Sequence, residues 1–189
     1  MSHDLVLQYK CRSCAIYTLV AMIVSTLLLA DDLPIRINMT ASMPRGAYLL
    51  RGTHPIHAGD FVMVCLDDDS LAQFALQRGY LSVGYCANST QHLLKQVAAK
   101  NGDLVKLKTN AVIVNGISLP HSTTLNMDSL NRSLPAIRRG IYILNAHQLW
   151  LYGTESAKSW DSRYFGIINT ARVVQTVKPL LVWSRRSNT

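Results

Sequence analysis

Residues 13–30, SCAIYTLVAMIVSTLLLA, form an 18-residue run with no side chain that is charged at neutral pH, and no other part of the chain is so uniformly apolar. A helix rises 1.5 Å per residue, and about 20 apolar residues cross the hydrocarbon core of a bilayer. The run is therefore just long enough to span a membrane; Leu33 to Ile37 would lengthen it only by carrying Asp31 and Asp32 along. A cleaved signal peptide and a buried core helix are the alternatives. No small-x-small cleavage pattern follows, because Leu28-Leu29-Ala30 runs straight into two acids, which favours a retained anchor. Lys10, Arg12 and the amino terminus lie on one side and the two aspartates on the other, so everything after Asp31 is expected outside the cytoplasm. The expected organisation is a cytoplasmic segment 1–12, an anchor 13–30 and a single domain 31–189.

Composition narrows what that domain can be. With 189 residues, 49% hydrophobic and 16% charged, the chain is neither a disordered tail nor a large two-lobed cofactor enzyme. Its net charge of +8 suits an anionic membrane surface or nucleic acid. The basic residues are scattered, however, with no basic block and no interleaving with aromatics, so no specific nucleic-acid binding is expected. Of the four cysteines, Cys11 and Cys14 have the spacing of a redox or metal pair, but with no second pair four zinc ligands cannot be assembled. They read as thiols at the membrane edge, open to acylation. Cys65 and Cys86 would lie in an oxidising compartment and are the disulfide candidates. The loop they would close is worth about 3 kcal/mol in the chain-entropy view; two buried free thiols are the alternative.

Beyond the anchor the pattern is mostly β. Short apolar runs begin at Gly46, Asp60, His92, Asp103, Ala111, Gly140, Leu149, Ala171 and Leu180, punctuated by turn residues. Asn101-Gly102 and Asn115-Gly116 predict two consecutive hairpins. One short helix is expected, capped by Asp69 or Ser70 and ended by Gly79, and a loop poor in apolar residues runs from His121 to Arg139. No metal or cofactor site emerges. His54-Pro-Ile-His57 has neither a third histidine nor a nearby carboxylate to complete a ligand set.

Three segments can carry chemistry. Ser42 sits in the turn Asn38-Met39-Thr40-Ala41-Ser42-Met43-Pro44-Arg45-Gly46-Ala47-Tyr48, where a serine is ordinarily a solvated turn residue. Lys95 interrupts an apolar strand: either it faces solvent, or it is buried and loses its charge easily, because desolvation disfavours the ammonium. A neutral lysine can serve a serine as general base. Ser159-Trp160-Asp161-Ser162-Arg163 places a carboxylate and a guanidinium two residues apart, by itself a structural ion pair in a turn.

In this order the segments resemble the signal peptidase I superfamily of membrane-anchored serine peptidases. The pattern S/T-x-S-M-P fits Thr40 to Pro44, a strand lysine followed by a Gly-Asp pair fits Lys95 and Asp103, and S-x-D-S-R-x-x-G fits Ser159 to Gly166. The wording N-x-T-x-S-M-P-x-G-x-Y, the short span from Ser42 to Lys95 and the Arg78-Gly-Tyr-Leu piece leading to Cys86 resemble the conjugal-transfer peptidases of the TraF type. General signal peptidases usually carry G-D-N-R-D-N before S-x-D-S-R; here that stretch is Leu151 to Lys158 and lacks it, and the second anchor of some general enzymes is missing too.

The resemblance implies an antiparallel signal-peptidase-like β fold behind one membrane helix, in the bacterial inner membrane with the catalytic domain in the periplasm. It implies Ser42 as nucleophile and Lys95 as general base, with the Thr40 hydroxyl and the Ser42 N–H as oxyanion donors. Ser159 would hydrogen-bond the lysine amine, and Asp161 and Arg163 would support it. Met43 and Pro44 would lie near substrate; separately, Ser42 follows Ala30 by only 12 residues, so the site is expected close to the membrane surface, with Met43 exposed and dipping into it. No cofactor is implied. The implied substrate is a membrane-embedded precursor, a conjugative pilin, with cyclisation through an acyl-enzyme as an alternative to hydrolysis. General signal peptidase activity and a non-enzymatic scaffold of a conjugation channel are the rival readings. A Ser-His-Asp hydrolase is disfavoured, because the chain has histidines but no G-x-S-x-G elbow.

Overall fold

A computed structural model describes residues 16–26, 34–52 and 55–183. The chain divides into two units at Pro34 and Ile35, and all of the described β structure lies in the second. In the first, residues 16–26 form helix α1 within the expected anchor. No helix among the described residues is long and apolar enough to cross a membrane. Segment 1–12, the ends of the 13–30 run, Cys11, Cys14 and His54 lie outside the described residues.

The second unit is built on two antiparallel sheets. Strands β1 (Ile35–Asn38), β2 (Gly46–Leu50), β3 (Phe61–Val64), β4 (Leu93–Ala99), β9 (Gln148–Tyr152), β10 (Ile168–Asn169) and β11 (Val173–Val182) form a seven-stranded sheet in the order β1-β2-β11-β3-β4-β9-β10. Strands β5 (Leu104–Leu107), β6 (Val112–Val114), β7 (Ile117–Ser118) and β8 (Gly140–Ile143) form the second, in the order β7-β6-β5-β8. Residues expected as two strands, from Ala171 and from Leu180, form the single strand β11, whose register slips between Pro179 and Leu181.

Period-two alternation explains the packing. On β9, Leu149 and Leu151 enter one apolar core beside Val62, Val64, Leu93 and Val97, while Trp150 points the other way into a second core with Val105, Leu107, Val112 and Leu144. The strand is thus a wall common to both cores and is buried on both faces. On β4 the buried positions are Leu93, Lys95, Val97 and Ala99, so the lysine lies on the core face of its strand.

Three local expectations need correction. Asn115-Gly116 does close a hairpin, with both residues at positive φ and Val114 opposite Ile117. Asn101-Gly102 does not: β4 pairs with β3 and β9, whereas β5 pairs with β6 and β8, so this turn carries the chain from one sheet to the other. Helix α2 (Asp69–Gln77) is capped not by Asp69 or Ser70 but by Asp68, whose carboxylate accepts from the N–H groups of Ser70 and Leu71 at 2.8 and 3.1 Å. A further helical turn, α3 (Ser162–Phe165), replaces the simple turn read at Ser159 to Gly166. Cys65 and Cys86 are joined in a disulfide that encloses α2.

Candidate active site

Ser42 lies in the connection between β1 and β2, and Asn38, the last residue of β1, shapes that connection. Its amide donates to the carbonyls of Thr40, Met43 and Pro44 at 3.3, 3.1 and 3.0 Å. Its Oδ1 accepts from the Thr40 N–H at 3.1 Å and the Thr40 hydroxyl at 2.7 Å. Tyr48, on β2, donates its hydroxyl to the Pro44 carbonyl at 2.6 Å from below; burial, reinforced by Glu155, pushes its phenol up to about 12, so it remains a donor. Polar side chains therefore hold this loop closed. Both residues stand in the N-x-T-x-S-M-P-x-G-x-Y wording, yet nothing in the sequence assigned them a role.

The held loop places Ser42 Oγ 3.1 Å from Lys95 Nζ and 3.1 Å from Thr40 Oγ1. Lys95 is 3% exposed, and its amine also donates to the Leu94 carbonyl at 3.1 Å. Burial dominates its titration: it lowers the pKa to about 8, against an upward pull from Asp161 and with a further downward push from Arg163. Ser42 Oγ has no histidine among its partners in the described residues, only Lys95 and Thr40. A hydroxyl beside an amine that loses its proton near pH 8 can be activated for attack on a carbonyl without any other base.

Asp161 and Arg163 form a buried ion pair, each 1% exposed and joined by two parallel bonds of 2.8 Å. The same guanidinium donates to the carbonyls of Thr123, Ala157, His121 and Ser159 at 2.6, 3.1, 3.3 and 3.3 Å. The Asp161 carboxylate caps α3 and accepts from the Gly153 N–H at 3.0 Å. A buried ion pair with this many partners tolerates loss of neither member, because the survivor would be an uncompensated interior charge.

Two expected placements differ. Ser159 Oγ makes no hydrogen bond to Lys95; it is buried without a partner among the described residues. Two of the ammonium's three donors go to Ser42 and Leu94. Met43 is completely buried rather than exposed to lipid, and neither it nor Pro44 lines the cleft. The turn that presents Ser42 folds the intervening methionine inward. The exposed apolar side chains nearby are instead Ile37 on β1 with Met39 just beyond it, and Leu180 to Val182 on β11 with Trp183 just beyond, with Ile37, Ala47 and Leu181 in register across β1, β2 and β11.

Gly153 is a site residue that sequence reasoning passed over. A Cβ there would lie 2.0 Å from Ser159 Oγ and 2.9 Å from the Ser42 carbonyl, so only glycine lets the end of β9 come this close to both serines. Its position just after an aromatic strand was the only available signal.

Ser42 and Lys95 open onto a cleft of about 730 Å³, walled by β1, the start of β4, the aromatic pair Tyr80 and Trp160, and the 121–139 loop. Among curated proteins, the chain is 33% identical over 148 residues to the plasmid transfer protein TraF of Escherichia coli, covering 78% of this chain and 83% of that one. It is 32% identical over 149 residues to the conjugal transfer protein TraF of Agrobacterium tumefaciens strain 15955, covering 78% and 82%. Among solved structures, a signal peptidase I from Enterococcus faecalis V583 aligns with a TM-score of 0.39 and 15% identity, over 68% of this chain and all of that one. Residues 8–183 match the family described as signal peptidase, peptidase S26, and the chain belongs to that family.

Proposed function

We propose that the protein is a membrane-anchored serine endopeptidase in which Ser42 is the nucleophile and Lys95 the general base, and that it processes a membrane-inserted precursor, a conjugative pilin. The observation that carries this reading is the 3.1 Å contact between Ser42 Oγ and the amine of a lysine buried on the core face of β4. Family membership supports a peptidase, and relatives named for plasmid and conjugal transfer support the substrate. The apolar residues of β1 and the end of β11 favour work close to a bilayer, with the N-terminus cytoplasmic and the second unit in the periplasm of a bacterial inner membrane.

The chemistry follows from the donors present. In the resting arrangement the Thr40 hydroxyl donates to Asn38, so the Ser42 proton points at Thr40 while Lys95 donates to Ser42. Once Lys95 is neutral, the serine proton turns to its amine and Oγ attacks the scissile carbonyl. The Thr40 hydroxyl, released from Asn38, then joins the Ser42 N–H in stabilising the oxyanion, a role in which one donor is typically worth about 10²-fold to 10³-fold in rate. The lysine returns its proton to the leaving amine. Asp161 and Arg163 hold Ser159 and the end of β9 so that Lys95 stays aimed. The acyl-enzyme is resolved by water, or by an amine of the precursor itself to give a cyclic product.

Mass spectrometry of a pilin precursor co-expressed with the intact protein, or with Ser42→Ala, tests the reading. Shortened pilin only with the intact protein is expected, and a cyclic product weighs one water less than the linear one. Equal processing with Ser42→Ala overturns it.

A further inference from the structure

The cleft around Ser42 and Lys95 is electropositive. Arg36, Lys95, Arg132 and Lys158 line it together with His92, and Asp128 is the only carboxylate among its described lining residues. Asp128 has nothing left to offer a cation. Its Oδ2 accepts from the Tyr80 hydroxyl at 2.5 Å and from Arg132 at 2.7 Å, with Arg78 Nη1 3.9 Å away; its Oδ1 accepts from the N–H groups of Leu130 and Arg132 at 2.8 and 3.0 Å. Burial alone would raise its pKa, but these bonds outweigh it and hold the carboxyl well below the usual range. Two guanidiniums thus share one carboxylate. Arg78 Nη1 is buried without a hydrogen-bond partner among the described residues, so the positive charge there is incompletely compensated.

Both guanidiniums are also pre-positioned. Arg78 lies 4.7 Å from the Phe74 ring centroid and Arg132 5.8 Å from that of Tyr80. Tyr80 in turn packs 5.2 Å from Trp160, the residue after Ser159, so this cluster and the candidate active site share one wall of the cleft.

We propose that this wall is a specificity subsite for a carboxylate on the peptide substrate. Arg132 meets the carboxylate, Asp128 holds Arg132 in place, and Arg78 supplies the excess charge behind it. The proposal rests on the reading of the cleft as a peptide-cutting site and adds to it the charge of the preferred substrate: an Asp or Glu side chain away from the scissile bond, or a free C-terminal carboxylate. A lysine or arginine at that place would meet Arg132 with no free carboxylate to pair with.

The test is binding of fluorescein-labelled, C-terminally amidated, alanine-rich peptides to the full chain in detergent with Ser42→Ala. A single Glu is moved through successive positions, Gln peptides serve as partners, and an all-neutral peptide with a free C-terminus reads the second source of carboxylate. At one position, or at the free C-terminus, the carboxylate is expected to tighten binding about tenfold at low salt. That advantage should shrink as salt rises from about 50 to about 500 mM, shorten to under twofold with Arg132→Gln, and return in part with Arg132→Lys. The salt series needs no change at Arg132 and so does not depend on that variant folding. No carboxylate preference anywhere, or an undiminished one in folded Arg132→Gln, overturns the subsite. Cleavage of the same peptides by the protein with Ser42 intact separates the two readings: cutting without a charge preference defeats the subsite alone, and a charge preference without cutting defeats the peptidase alone.

Discussion

At the scale of single residues, the property of Lys95 on which the proposed mechanism turns is its ability to lose a proton. Lys95→Arg keeps the charge but remains protonated at any working pH, so processing is expected to fall by at least about 10³-fold. Lys100→Arg is expected to process normally, because Lys100 contributes a backbone N–H to Asp103 and no side-chain bond. Initial rates for the two variants check this, and substantial turnover by Lys95→Arg would remove the lysine as base. The rate of the unaltered protein should rise with pH through about 8, where the buried amine becomes neutral. The same shift has a stability consequence of defined sign. The unfolded chain binds this proton more tightly than the folded one, so the cost of the buried charge is full below about 8 and disappears as pH approaches the ordinary value of 10.5. Lys95→Met should therefore be the more stable protein at pH 7, by on the order of 2 kcal/mol, with the gap narrowing toward pH 10. Chemical denaturation at the two pH values measures it; a gap independent of pH would contradict a buried ammonium.

Among elements, β4 and the end of β9 decide whether the site exists. Strand alternation carries Lys95 inward with Leu93 and Val97, and pairing with β9 brings Gly153 beneath both serines. Gly153→Ala introduces a methyl where Ser159 Oγ and the Ser42 carbonyl already stand, and a displacement of about 1 Å at the proposed nucleophile is worth on the order of 10² in rate. The expected result is a folded protein by circular dichroism with about a hundredth of the parent activity; parent-level activity would mean the loop absorbs the methyl. Asp161→Asn is expected to be more disruptive, because it leaves the Arg163 guanidinium as an unpaired buried charge. A thermal midpoint lowered by several degrees, alongside lost activity, distinguishes this support role from a purely chemical one.

For the molecule as a whole, the Cys65–Cys86 disulfide closes a loop around α2. Replacing both cysteines by alanine should lower stability by about 3 kcal/mol, read as a shifted urea midpoint; non-reducing peptide mapping should recover the two joined. Much of this protein was legible in one dimension. Strand alternation, the Asn115-Gly116 hairpin and the helix ended by Gly79 follow from local rules of backbone and side-chain periodicity, which need no knowledge of distant partners, whereas the cysteine pairing was read from the expected oxidising compartment, with free thiols as its alternative. Ser42, Lys95 and the Asp161 to Arg163 segment were visible as motif residues. What the linear chain could not state is which face of β4 meets Ser42, because alternation alone makes Lys95 equally compatible with solvent. It could not state that Asn101-Gly102 joins two sheets instead of closing a hairpin, because that depends on whether β5 finds better partners in β6 and β8 than in β4. Nor could it show that Met43 turns inward or that Gly153 must have no side chain. Those depend on strands far apart in sequence approaching within van der Waals distance, and only the packed tertiary structure sets such distances.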